Sequence, residues 1–209
     1  MNCDAIAPYY AAIEFAVFGR ALERCRFYFL PELSDARRAL VLGDGDGRFL
    51  NRLLAACPHL RADYVDCSAG MMKQAQRSAG SQRVTYHCAD LLTAALPKSD
   101  YDLVVTHFFL DCFDPEHLTA VVQRIAEAAP GARWLISEFR IPPSPWLAGP
   151  ARALIGVMYR FFSLATGLTT RALVDHRPLL KKAGFQLSAT APHAAGLMVS
   201  ELWVPQALK

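Results

Sequence analysis

The stretch Ala39-Leu-Val-Leu-Gly-Asp-Gly-Asp-Gly-Arg-Phe-Leu50 decides the fold of this chain. Residues 39–42 form an apolar run that is too short for a helix and suits a strand buried on both faces. Gly43, Gly45 and Gly47 follow at alternate positions, and apolar residues then recur at helical spacing. Strand, glycine turn and helix form the first half of a nucleotide-binding βαβ unit, because glycines let the backbone turn sharply and approach a ligand closely.

The residues between the glycines favour a cationic ligand. A dinucleotide fingerprint, G-x-G-x-x-G/A, would require a small residue at position 48, where this chain has Arg48. Asp44 and Asp46 lie between the glycines and would repel a pyrophosphate, whereas a positively charged ligand would tolerate them.

The apolar strand followed by G-x-G-x-G resembles the first motif of the class I S-adenosylmethionine-dependent methyltransferases. S-Adenosylmethionine carries a sulfonium and an ammonium, which agrees with the acidic turn. The family usually has Asp or Glu two residues before the first glycine, and this chain has Val41 there. We therefore expect Asp44 or Asp46 to take over that contact.

Alternating strand and helix patterns predict the fold class and its divisions. They favour an α/β, Rossmann-like, doubly wound and mostly parallel sheet of seven strands with right-handed crossovers. Residues 185–191 and 197–204 are joined too closely for a helical crossover and predict an antiparallel terminal hairpin. We expect one methyltransferase domain over 1–209, divided into an N-terminal helical segment 1–38, a cofactor-binding core 39–140, a helical cap 141–183 and a terminal hairpin 184–209.

Two stretches outside the core also carry local predictions. Residues 5–29 are apolar at helical spacing and predict a packing helix before the sheet. The prolines between residues 142 and 150 predict irregular structure there, with a helix from residue 151 onward.

Asp66 is the strongest ligand candidate outside the glycine turn. It ends the predicted second strand roughly twenty residues after the glycines, where this architecture holds a ribose hydroxyl pair. One carboxylate has two oxygens and can accept from both hydroxyls. The alternative is a helix cap, a role that Ser68 can already fill.

The resemblance implies further cofactor contacts, including features of the ubiquinone/menaquinone-biosynthesis-type methyltransferases. It implies that Tyr10 lies over the cofactor, that Met71 packs on the adenine and that Asp90, with Leu91 beside it, accepts from the adenine amino group. Core packing and an ordinary turn are the structural alternatives. The expected cofactor-binding set is Tyr10, Gly43, Asp44, Gly45, Gly47, Asp66, Cys67, Met71, Asp90, Leu91 and Thr106.

The end of the predicted fourth strand carries the first catalytic candidates. Residues 106–111 should lie beside the glycine turn at the carboxyl edge of the sheet. His107 and Asp111 are therefore the expected groups for orienting or deprotonating an acceptor. A histidine at a strand end also serves as a structural residue, and Asp175-His176 offers a second acid/base pair.

Residues 151–168 are almost entirely apolar, with Arg152 and Arg160 as their only charges. A helix with so few polar faces is buried or covers something apolar. After the fifth strand, where the resembled family inserts its acceptor-binding cap, it would wall a pocket for a lipophilic or aromatic acceptor such as a quinone precursor. A homodimer interface, a peripheral membrane contact or a plain core helix would use the same residues.

Composition excludes several classes of function. A net charge of +3 is too slight to indicate a nucleic-acid partner. Six scattered cysteines without a C-x-x-C pair indicate reduced thiols in a cytoplasmic protein, with no metal site. No signal peptide is evident, and no apolar run reaches transmembrane length.

We therefore expect an S-adenosylmethionine-dependent methyltransferase that methylates carbon or oxygen of a small acceptor. A degenerate family member acting as a binding protein or scaffold is one alternative, kept open by Val41. An NAD(P)-dependent oxidoreductase is the other, and Arg48 and the terminal hairpin speak against it.

Overall fold

A seven-stranded sheet forms the centre of the computed structural model, which describes residues 3–97 and 100–206. Its order is β3-β2-β1-β4-β5-β7-β6, and β7 runs antiparallel to both β5 and β6 while the other neighbours are parallel. The doubly wound sheet and the antiparallel terminal hairpin are thus confirmed. The strands are β1 Arg38–Leu42, β2 Arg61–Asp66, β3 Val84–Cys88, β4 Leu103–His107, β5 Arg133–Phe139, β6 Phe185–His193 and β7 Met198–Pro205.

Helices cover both faces of the sheet. Leu40 and Leu42 of β1 pack into the apolar cluster on one face, and Ala39 and Val41 pack into the cluster on the other. This two-sided burial explains why β1 is a continuous apolar run. The helices are α1 Tyr10–Phe18, α2 Ala21–Phe27, α3 Arg48–Ala56, α4 Ala69–Ala79, α5 Pro115–Ala128, α6 Pro145–Thr166 and α7 Arg177–Lys182.

The predicted single helix over residues 5–29 is wrong, because the chain breaks between α1 and α2 at Gly19. Gly19 has φ 56°, and its N–H donates to the Phe15 carbonyl at 2.8 Å, which closes α1. The hydrophobic pattern continues across the break because apolar residues recur in both helices, even though α1 leaves Phe15 and Val17 exposed. Periodicity alone therefore could not reveal the turn.

The predicted irregular structure over residues 142–150 is also wrong, since α6 already begins at Pro145. Proline fits the first helical position, where the missing N–H has no intrahelical partner anyway. Pro150 lies inside the helix on its exposed side and removes one further donor. Among the described helices, none is long and apolar enough to cross a bilayer.

A buried ion cluster joins α7 to β7. The Glu201 carboxylate is fully buried and accepts from Arg177 Nε at 2.7 Å and from Trp203 Nε1 at 2.8 Å; its other partner, His176 Nε2, lies at 2.9 Å. Burial alone would raise the pKa of Glu201, but these hydrogen bonds and the neighbouring positive charge lower it to about 2. The ionised carboxylate therefore fastens α7 to β7.

Acid should weaken this cluster in a defined pH range. The pKa of Glu201 is about 2 in the folded protein, against about 4.3 for an unfolded glutamate. The carboxylate thus contributes stability above pH ~4.3, and that contribution is lost as the pH falls towards 2. Glu201→Gln should lower the free energy of unfolding at pH 7 by about 3 kcal/mol and flatten its fall in acid.

Urea unfolding between pH 2.5 and 7 checks this, with the exposed Glu127→Gln as the matched control. A Glu201→Gln variant with the stability and acid profile of the control would contradict the assigned role.

Gly47 should be far less replaceable than another glycine with the same backbone conformation. Gly47 has φ 74° and ψ 14°, and Gly167 has φ 72° and ψ 24°. A Cβ on Gly47 would lie 2.7 Å from the Cα of Ala75 in α4, whereas nothing lies within 4 Å of one on Gly167. Both alanine variants carry left-handed strain of about 1–2 kcal/mol.

Gly47→Ala should lose a further 1–3 kcal/mol or so by overpacking. Chemical denaturation of the two variants measures the difference, and equal losses would mean that α4 yields to the added methyl group.

Candidate active site

A cavity of about 470 Å³ lies at the carboxyl edge of the sheet, beside the ends of β1, β2, β3 and β4. Helices α1 and α6 contribute its other walls. Its size falls in the usual range for small-ligand sites, roughly 300–1,000 Å³. In an open α/β sheet this edge is where ligands bind, because the turns after the strands diverge there.

The glycine turn forms the floor of the cavity at two of its three glycines. A Cβ on Gly43 would overlap the ring of Phe109, and one on Gly45 would lie 3.4 Å from Cε1 of Tyr10. Both glycines line the cavity, as does Tyr10, whose ring lies over the turn. Gly47 instead packs against Ala75 of α4. The lack of side chains thus lets the rings of Phe109 and Tyr10 approach the turn at Gly43 and Gly45, and lets α4 approach it at Gly47.

The two carboxylates of the turn are used within the protein. Asp44 is buried, and its Oδ2 accepts from the N–H of Leu50 at 3.0 Å, so it holds the first turn of α3; burial raises its pKa to about 7. Asp46 accepts from Arg48 Nε at 2.9 Å. The structure does not bring Asp44 to the cavity, so Asp44 does not supply a carboxylate there in place of Val41.

Asp66 lies at the cavity wall and is held in place by a main-chain donor. Oδ1 accepts from the N–H of Ser68 at 2.8 Å, and the Tyr64 hydroxyl lies 3.4 Å from Oδ2. Burial raises the pKa of Asp66 to about 6. Ser68 itself caps α4 by accepting from the N–H of Met71 at 3.1 Å. The capping role therefore belongs to Ser68, and Asp66 faces the cavity.

The remaining residues of the expected cofactor set divide into two groups. Cys67, Met71, Asp90 and Leu91 all line the cavity together with Asp66. Asp90 also accepts from the N–H of Leu92 at 2.9 Å, so it stabilises its own turn while facing the cavity. Thr106 is fully buried elsewhere, and its Oγ1 accepts from Trp134 Nε1 at 2.9 Å.

The two catalytic candidates lie in different surroundings. The ring of His107 is buried 4.4 Å from that of Phe49, and its nitrogens have no hydrogen-bond partner within residues 3–97 and 100–206. Burial lowers the pKa of His107 well below its usual value. The structure therefore does not bring His107 to the cavity. The second acid/base candidate, His176, belongs to the Glu201 cluster instead.

Asp111 reaches the cavity because the chain turns after β4. It lies in a short 3-10 helical segment, Leu110–Cys112, and lines the cavity. The Tyr159 hydroxyl donates to the main-chain carbonyl of Asp111 at 3.1 Å and so ties this turn to α6. Burial raises the pKa of the Asp111 carboxyl to about 6.

A charged network that the sequence did not reveal holds α1 over the glycine turn. Glu14 is buried at the cavity wall and accepts from both terminal nitrogens of Arg26, one of them at 3.0 Å, and from Arg48. Arg48 thus bridges α1 and the turn through Glu14 and Asp46. The sequence feature that could have indicated this network is Glu14 itself, the one charged residue in the sequence of α1.

The far end of the cavity is apolar. It is lined by side chains of α1, α2, β5 and α6 and by residues that follow β4, and it meets the polar end near Asp111. Helix α6 thus walls the cavity, and several of its large apolar side chains are exposed to solvent, among them the cavity-lining Leu154, Val157 and Phe161. The apolar lining includes Phe18, Leu22, Phe108, Phe139, Leu154, Met158 and Phe162.

Comparisons with known proteins identify the family. Residues 39–129 match the family described as "Methyltransferase domain". The chain is 30% identical over 185 residues to a 3-amino-4-hydroxybenzoate 4-O-methyltransferase of Streptomyces cremeus, covering 84% of this chain and 49% of the relative. It is 32% identical over 126 residues to a malonyl-[acyl-carrier protein] O-methyltransferase of Alcanivorax borkumensis, covering 59% and 42%.

Solved structures share the fold. The mitomycin 7-O-methyltransferase matches with a TM-score of 0.68 at 19% identity, over 94% of this chain and 57% of that one. An O-methyltransferase family protein from Burkholderia thailandensis matches with a TM-score of 0.69 at 18% identity, over 97% and 60%. The chain spans about half the length of the curated relatives it matches. The glycine turn, the sheet order and these matches agree, and the chain belongs to the class I S-adenosylmethionine-dependent methyltransferase family.

Proposed function

We propose that this chain transfers a methyl group from S-adenosylmethionine to an oxygen or carbon of a small lipophilic or aromatic acceptor. One observation carries the proposal: a single cavity joins the glycine turn and Asp66 to an apolar chamber at whose border Asp111 lies. A cofactor end and an acceptor end in one enclosed space are what a direct transfer needs. The O-methyltransferase names of both curated relatives favour oxygen.

The residues at the polar end fit the methyl donor. Gly43 and Gly45 expose backbone where a Cβ would collide with Phe109 or crowd Tyr10. Asp66 has two carboxylate oxygens and would hold the ribose hydroxyls, with Cys67 beside it. Met71, Asp90 and Leu91 would enclose the adenine. S-Adenosylmethionine supplies an activated methyl group on a sulfonium sulfur, which leaves as a neutral thioether.

The chain's own residues contribute alignment and a place for a proton. The aromatic and aliphatic walls would pack on the acceptor and fix its orientation. The carboxylate of Asp111 would accept a hydrogen bond from an acceptor hydroxyl and take its proton as the oxygen is methylated. A pKa of about 6 suits a base that works near neutral pH.

His107 is better explained as a structural residue. It is buried on Phe49 behind the strand end, and its low pKa keeps it neutral. Acid/base catalysis at the acceptor is therefore proposed for Asp111. Thr106, which binds Trp134, and Asp44, which binds the N–H of Leu50 in α3, are structural residues near it.

The assembly and location of the protein follow as further proposals. The exposed side chains of α1 and α6 are almost all apolar and would form either a homodimer interface or a peripheral membrane contact. Sedimentation and vesicle binding distinguish the two. The six cysteines, all within the described residues, form no disulfide, which supports a reducing, cytoplasmic setting.

Binding of the cofactor separates an enzyme from a degenerate scaffold. Calorimetry with S-adenosylmethionine and with S-adenosylhomocysteine should give saturable binding, and Asp66→Asn should weaken it by about 1–3 kcal/mol through a lost charged hydrogen bond. Because the pKa of Asp66 is about 6 and only the carboxylate accepts both hydroxyls, wild-type affinity should fall about tenfold between pH 7 and pH 5.

Asp66→Asn should lack that part of the pH dependence. Ser34→Ala, a small exposed change outside the cavity, is the matched control. Unchanged affinity in Asp66→Asn would remove Asp66 from the site, and binding of NAD(P) but not of either sulfur compound would favour the oxidoreductase.

The effect of substitution on kcat should distinguish a catalytic Asp111 from a structural His107. Asp111→Asn keeps size and hydrogen bonding but cannot take a proton, and it should lower kcat by roughly 10²–10⁴-fold with cofactor binding intact. His107→Leu removes two buried nitrogens without partners in the described chain, and it should keep kcat and thermal stability near the wild-type values. Transfer of a labelled methyl group measures both, and a large loss of kcat in folded His107→Leu would reverse the assignment.

A further inference from the structure

We propose that the cavity selects acceptors without a carboxylate, so that its substrate class is an uncharged, hydroxyl-bearing aromatic or similarly apolar molecule. This rests on the proposed methyl transfer and adds a charge rule to it. The rule comes from the distribution of charges around the cavity and from the partners of three arginines near it.

The described residues that line the cavity include five carboxylates but neither Lys nor Arg. This is unlike the whole chain, in which Lys and Arg total 22 against 19 for Asp and Glu. An anionic acceptor therefore meets no Lys or Arg on these walls, and the lining histidine, His117, is already paired with Asp114 at 2.7 Å. Burying an unpaired charge costs far more than burying a neutral group. The carboxylates are Glu14, Asp66, Asp90, Asp111 and Asp114.

Three arginines near the cavity, Arg26, Arg48 and Arg124, already have partners within the protein. Arg26 and Arg48 both bind Glu14, and Arg48 also binds Asp46. The guanidinium of Arg26 lies 5.3 Å from the ring centre of Phe108, whose ring lines the cavity, so an aromatic wall covers it. Arg124 donates to the main-chain carbonyls of Leu92 and Ala94. Turning any of them to an acceptor would break buried pairs, which is expensive.

Asp111 is the carboxylate that would repel an anionic acceptor most strongly, because it is proposed to contact the acceptor directly. Its turn contacts both parts of the cavity, because the Phe109 ring lies against Gly43 and the Asp111 carbonyl accepts from Tyr159 of α6. A second carboxyl, Glu138, interacts electrostatically with Asp111. Glu138 Oε1 accepts from the N–H groups of Phe109 and Leu110 and fixes the turn that carries Asp111. Two like charges in a site of low dielectric repel by far more than in water. An acceptor carboxylate would therefore be rejected, while a hydroxyl could donate to Asp111.

The apolar end suits an aromatic or aliphatic body. Phe18, Phe139, Phe162 and Met158 offer packing surface but no hydrogen-bond partner for a further polar group. An uncharged acceptor with one polar group directed at Asp111 satisfies both ends of the chamber. This is the combination that a hydroxylated aromatic presents.

The test compares paired ligands on the protein saturated with S-adenosylhomocysteine, whose own binding is measured first by calorimetry. The pairs are methyl 4-hydroxybenzoate against 4-hydroxybenzoate, and methyl 3-hydroxy-2-naphthoate against 3-hydroxy-2-naphthoate, at pH 7.5. The uncharged member of each pair should bind at least about tenfold more tightly. Asp111→Asn should narrow that ratio, whereas Glu127→Gln, which removes an exposed charge outside the cavity, should leave it unchanged.

Each other outcome decides against the charge rule. Equal or tighter binding of the carboxylates would overturn it, as would a ratio unaffected by Asp111→Asn in a folded variant. Binding of S-adenosylhomocysteine without binding of either ester would overturn it while leaving the cofactor proposal intact. Failure of S-adenosylhomocysteine to bind would remove both proposals together.

Discussion

The close approach at the glycine turn is the constraint on which the rest of the site depends. Three positions without a Cβ admit three different neighbours: the ring of Phe109 at Gly43, the ring of Tyr10 at Gly45 and the backbone of α4 at Gly47. The same few residues thus position the turn after β4, the helix over the cavity and the layer beneath the sheet. Side chains there would separate elements that must meet for the cavity to exist.

Electrostatics around this turn is organised mainly for internal structure. Asp44 holds the start of α3, Asp46 and Glu14 pair with Arg48, and Glu14 also binds Arg26. These pairs fasten α1 across the turn without leaving a free cation at the cavity wall among the described residues. Among the described residues, five carboxyls line the cavity, and burial raises the pKa of two of them, Asp66 and Asp111. Such a surrounding suits a cationic cofactor and an uncharged acceptor.

The relatives support the cofactor end more firmly than the acceptor end. The family match covers residues 39–129, which include the turn, Asp66 and Asp90 but stop before α6. The apolar chamber is built largely from α1, α2 and α6, outside that match. The two curated relatives are named for different acceptors, a hydroxybenzoate and a malonyl group on a carrier protein. The ubiquinone/menaquinone-type likeness accordingly stays a prediction.

The sequence by itself determined the alternation of strands and helices, the antiparallel hairpin and the glycine turn, because each depends on local periodicity or on the lack of a side chain. It also placed Asp66 and Asp90 at strand ends and Met71 in the helix that follows β2, which one edge of a parallel sheet brings together. Only the tertiary structure decided which of the two catalytic candidates, His107 or Asp111, faces the cavity. Strand alternation turns His107 into the packing against Phe49, while a 3-10 turn carries Asp111 to the cavity. It likewise decided that Glu14 meets Arg26 and Arg48, since contacts between residues 12 and 34 positions apart leave no local pattern in the chain.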